Sequence, residues 1–192
     1  MIHDGLWQDD LISFSNEIMS YKNRINELIL SNISYGDEQL VCARHELTKR
    51  IFFSASIIRK IVEEEEEFFE FRKKYKKDFS DERTNPNEWY FIHSYQIKTI
   101  EFPLKEEAVN YFEDYCVEDY DQSCFEKKHY TVKEVSNWIM HSYIWWLGSL
   151  EDTNLINGFF ISSDYDKNQF VNYISLDDWE KALLFCADKA YL

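Results

Sequence analysis

Five histidines, four cysteines and 36 acidic residues are the groups in this sequence that could do chemistry. His3, His45, His93, His129 and His141 never stand three or four residues apart, so no two-histidine metal clamp can be placed on a helix. His45-Glu46 begins like a zinc-protease signature, but no second histidine completes it. Cys42, Cys116, Cys124 and Cys186 form no C-x-x-C pair, and no metal is expected. Asp164, Asp166 and Asn168 imitate the first half of a calcium loop, yet Gln169 stands where the glycine belongs and no glutamate follows at the twelfth position. A hairpin turn explains them better. With four glycines in the chain, phosphate-cradling loops are excluded, and no cofactor is expected. His141, between Trp138 and Trp145, reads as a hydrogen-bonded core histidine. It would be a general-base candidate only beside a pocket.

Carboxylates remain. Between Glu101 and Glu126 lie Glu106, Glu107, Glu113, Asp114, Glu118, Asp119 and Asp121, against Lys105 alone among bases. Tyr111, Phe112, Tyr115, Tyr120 and Phe125 interleave with them. Aromatics supply hot spots and carboxylates steer encounter, so the pattern suits capture of a basic protein. The residues expected to carry it are Glu113, Asp114, Tyr115, Glu118, Asp119, Tyr120 and Asp121. A solvated acidic loop is the plainer explanation of the same run. The other charge run, Glu63 to Glu67 followed by Arg72, Lys73 and Lys74, reads as a solvated helix face.

The whole chain supports the same class. A net charge of −15 opposes direct binding to nucleic acid or anionic lipid, because both require a cationic footprint. Sparse cysteines outside any disulfide framework point to a reducing, cytoplasmic setting. The first residues lack a signal peptide's basic and apolar segments, and no apolar run reaches the roughly 18 residues of a membrane span. At 192 residues, 45% hydrophobic, the chain suits one soluble domain over 1–192.

Elements must position these groups. Trp7, Leu11, Phe14, Ile18, Tyr21, Ile25 and Leu28 follow a 4-3 spacing, which predicts a helix over 6–30. A second helix opens near Ser34 or Asp37, with a stripe from Leu40 to Phe69 that can close an antiparallel hairpin. Run without interruption to Lys77 it would be about 60 Å long. It is therefore expected to bend, break or overhang, with Glu63–Glu67, where like charges repel, as the place for it. Residues 88–101 and 158–174 read as a small antiparallel sheet, Leu104 to Tyr115 as a short helix, and 116–130 as irregular. Thr131-x-x-Glu134 is a capping box opening a central apolar helix to about Leu147. A second such signal at Ser175 opens a C-terminal helix.

The expected fold is thus α+β and predominantly helical. The expected function is that of a non-enzymatic interaction protein, monomeric, that binds and blocks a basic partner in the manner of immunity proteins, antitoxins or polyanion mimics. The alternative is a small intracellular hydrolase whose carboxylates and His141 converge from distant segments.

Overall fold

Every fourth and third residue of the first helix is apolar, and the computed structural model shows what that stripe covers. It describes residues 6–75, 92–108, 115–151 and 154–189. Helix α1 (Leu6–Leu30) buries Leu11, Ile18 and Ile25 completely against helix α2 (Glu38–Tyr75) and against the last helix of the chain. From α2 the stripe Leu40, Leu47, Ile51 and Ile58 answers it. The Asp37 carboxylate accepts from Gln39 N at 2.8 Å and caps α2.

Of the three ways out expected for a helix as long as α2, a break in Glu63–Glu67 is not the one taken. The helix runs through Glu63–Glu67 for 38 residues, about 57 Å, and four of the five acids there, Glu63 to Glu66, have partners that offset their repulsion. Arg59 donates to Glu63 and Lys60 faces Glu64. Ile92 N donates to Glu65, and Lys133 pairs with Glu66. Two acids of a run that reads as a solvated face, Glu65 and Glu66, thus tie α2 to neighbouring segments.

Strands β1 (Gln96–Pro103), β2 (Glu126–Thr131), β3 (Ser142–Gly148), β4 (Gly158–Ser163) and β5 (Phe170–Ser175) form one antiparallel sheet in the order β2-β1-β5-β4-β3. Helix α3 (Val132–Met140) lies between β2 and β3, and α4 (Leu176–Lys189) ends the described chain. The capping box at Thr131 forms, with Glu134 N donating to Thr131 Oγ1 and Thr131 N to the Glu134 carboxylate, and at Ser175 the hydroxyl accepts from Asp178 N. One sheet face meets the helices through Ile97, Phe159, Ile161 and Ile174, with Trp179 of α4 fully buried there. On the opposite face Phe102, Ile144, Phe160, Val171 and Tyr173 lie under the segment 115–120, which contributes Tyr115, Val117 and Tyr120.

Three expectations need correction. The helix opened by Thr131 stops at Met140, and Ser142–Gly148 is a strand. A strand sends successive side chains to opposite faces, and that is how the two adjacent tryptophans are used. Trp145 wedges between Phe52 of α2 and Phe159 of β4, at ring separations of 4.9 and 4.8 Å. Trp146 lies opposite Phe160 on the other face. Secondly, Glu126–Thr131, expected to be irregular, is strand β2, paired to β1 from Gln96↔Thr131 to Glu101↔Glu126. Thirdly, His141 is not in the core: it is exposed at the C-terminal cap of α3, with Nε2 at 3.1 Å from Arg59 Nη1. Of the short helix expected over 104–115, Glu106–Ala108 is a single 3-10 turn, and residues 109–114 lie outside the described residues.

Candidate functional site

The acidic stretch separates into parts with different orientations. Glu113 and Asp114 lie outside the described residues. Tyr115 and Tyr120 turn inward, 8% and 1% exposed, and their rings pack edge to face on the outer sheet face. Burial pushes the Tyr120 phenol well above its usual range, and its hydroxyl donates to Lys167 O at 2.5 Å. Asp119 accepts from Cys116 N at 2.7 Å and from its thiol at 3.2 Å, which raises the thiol pKa. Asp121 accepts from Ser123 N and Oγ, and these bonds hold its carboxyl below the usual range. Asp121, half-buried, lines a shallow hollow with Lys105, Glu106 and Glu107, and Glu118 is exposed beside another concavity.

The concavity beside Glu118 is a cleft of about 210 Å³ at the Gly148 end of β3. Its walls come from four segments distant in sequence. Tyr35 stands in the turn between α1 and α2 and Arg44 on α2. Glu118 follows on the 3-10 turn Val117–Asp119, and Trp146 on β3. Arg44 sits over the Tyr35 ring, 5.6 Å from its centroid. Tyr35 is 60% exposed and Trp146 51%. Phe160 and Ile156 floor the cleft.

Trp, Tyr and Arg are the residue types that dominate binding energy at protein interfaces, and here all three meet in one hollow. Of the residues lining this hollow, Glu118 alone belongs to the set expected from the sequence. Trp146 lies in the uncharged run Tyr143–Leu147, in which no alternation marks the side chain that the fold leaves exposed.

A second group of carboxylate, lysine and tyrosine lies at the other side of the sheet. Glu101, 9% exposed, accepts from Lys128 and, at 2.8 Å, from the Tyr130 hydroxyl. Burial first, then the bond to Glu101, pushes the Tyr130 pKa up to about 12. This group is internally paired. His141, at the end of α3, faces Arg59, and the partners of Glu101 are Lys128 and Tyr130. No three His, Cys, Asp or Glu side chains gather in metal-binding proximity among the described residues. No described helix is long and apolar enough to cross a membrane.

No family model matches the chain, and neither a curated protein nor a solved structure matches it.

Proposed function

We propose that this chain is a non-enzymatic interaction protein that binds and blocks a basic partner, in the general manner of an immunity protein, antitoxin or polyanion mimic. The observation that carries this reading is the cleft beside β3, where half-exposed Trp146 and Tyr35 stand with Arg44 and the exposed Glu118. A large aromatic left half in water forgoes burial, and a hollow that collects such residues is suited to filling by a partner. The net charge of −15 selects a cationic one and speeds its approach. Three exposed free cysteines, Cys42, Cys116 and Cys124, fit a reducing cytoplasmic setting.

The aromatic part of the recognition is thereby reassigned. Tyr115 and Tyr120 hold the segment 115–120 onto the sheet, and Trp146 and Tyr35 take the anchoring role. The test places a photoreactive benzoylphenylalanine at position 146, or at the exposed Leu184 of α4 as control, in living cells of the source organism. The expected result is a light-dependent adduct with one basic polypeptide from position 146 and none from 184. An acidic adduct, or the same set of adducts from both positions, overturns the reading.

A further inference from the structure

Strand β3 is an outer strand of the sheet: its register runs with β4 from Ser142↔Ser163 to Gly148↔Gly158, and no described strand lies on its other side. Alternate backbone N–H and C=O groups of an outer strand point away from the sheet, so β3 presents a row of unused donors and acceptors. Proteins guard such rows with charge, proline or bulges. Ser142–Gly148 has no charge and no proline, and its one bulge is confined to Ser142/Ile144. Ile144–Gly148 is left regular and unguarded, ending at the cleft.

Charge around β3 is uneven. Glu118, which lines the cleft, and Glu151, three residues beyond Gly148, are both exposed at the Gly148 end, where Arg44, held over the Tyr35 ring, is the one cation of the cleft lining among the described residues. At the Ser142 end the neighbouring strand runs into Asp164, which Lys167 already pairs at 2.7 Å. Lys167 is buried and sits 3.8 Å from the Tyr143 ring centroid, which fixes that side chain at the bulge.

We infer that the basic partner enters as a sixth strand, antiparallel to β3, through an extended segment of about seven residues whose cationic side chains precede its apolar ones. This inference rests on the partner-binding reading above. The orientation follows from two observations. Every pair in the sheet is antiparallel, the slightly more stable arrangement per residue. In that orientation the N-terminal end of the added segment lies beside Gly148, where Glu118 and Glu151 stand. Main-chain bonds supply affinity and the alternate side chains supply selectivity, one of them seated on Trp146. A second copy of this chain is the disfavoured occupant. Antiparallel pairing of two β3 edges would bring Glu118 and Glu151 of each copy toward Asp164 of the other, between molecules of charge −15.

The experiment titrates the isotope-labelled full chain at low salt with blocked synthetic peptides and follows its amide and indole resonances. One peptide is Arg-Lys-Val-Thr-Val-Thr-Val, the second its reversed sequence, and the third the first peptide with N-methylated valines. The first should shift the Trp146 indole and slow exchange of alternate amides in 144–148, leaving 127–130 unchanged. It should bind about tenfold more tightly than either of the others, since the reversed peptide misplaces the charge and the methylated one loses main-chain donors. Equal binding by the methylated peptide, still shifting Trp146, overturns strand addition and leaves the cleft as a side-chain site. Preference for the reversed peptide overturns the antiparallel orientation. If no peptide perturbs Trp146 up to about 1 mM, a weak limit for any specific contact, both this inference and the basic-partner reading fall. Concentration-dependent shifts in β3 without peptide would make a second copy the occupant and overturn the inference.

Discussion

The sheet has two outer strands, and they are built in opposite ways. In β2, Glu126, Lys127, Lys128 and His129 put charge or polarity on four consecutive positions, and Lys128 is held by Glu101 and Glu126. Strand β3 carries Tyr143, Ile144, Trp145, Trp146 and Leu147 with no charge at all. The chain can therefore protect an edge, and on β3 it does not. An uncharged edge exposes a protein to unwanted pairing, so its presence beside a cleft of interface-type residues favours a use for it.

The largest expected effects separate the two tryptophans of β3. Trp145→Ala removes a ring packed between Phe52 and Phe159 and should cost about 3 kcal/mol in chemical denaturation, the low end for a large core residue. Trp146→Ala should cost less than about 1 kcal/mol and yet weaken partner binding about 30-fold, as for a hot spot near 2 kcal/mol. Equal stability losses would break the division of the strand into a structural and a binding face.

Next comes charge. Reversing Glu118 and Glu151 to lysine should slow association about tenfold at low salt and flatten its salt dependence, because rim carboxylates act mainly on encounter. Folding stability should stay within about 0.5 kcal/mol, as for most surface changes. An unchanged on-rate would remove Glu118 from the site.

The comparison can also be inverted. Lys127→Thr with His129→Thr strips the exposed polar guard from β2, and light scattering should then show an apparent mass that rises with protein concentration. The same measurement on Trp146→Lys should show no such rise, while partner binding disappears. If the β2 variant stays unassociated, the guarding role assigned to its charges is wrong.

A smaller effect concerns pH. Tyr130 and Tyr173 are both held neutral up to about pH 12, mainly by burial, against an ordinary value of 10.0. Their folded values lie above the unfolded one, so this contribution to stability is complete below pH 10 and is lost as pH rises from 10 to 12. Denaturation midpoints across that window should fall, and Tyr130→Phe should lessen the fall. No change with Phe would mean that the Tyr130 hydroxyl ionises equally in both states.

Where a signal is local, the sequence was legible. The seam from Leu11 to Ile25, the capping box at Thr131, the cap at Ser175, and the hairpin over 158–174 each need only a few neighbouring residues to declare themselves. Strand β3 was not legible as a strand, because five consecutive apolar residues carry no period that separates a buried helix from a strand. Tertiary partners decided it. In the acidic stretch, an aromatic beside an acid looks the same whether it anchors a partner or fastens its own segment to a sheet, as Tyr120 does. Tyr35 and Arg44 join Trp146 from a hundred residues away, and no local pattern announces that meeting.

Amide hydrogen exchange on the full chain, with and without the polypeptide cross-linked at position 146, tests the central claim most directly. Slowed exchange confined to Ser142–Gly148 and the cleft, with Glu126–Thr131 unchanged, is the predicted result. Protection of Glu126–Thr131, or of neither edge, would contradict the account.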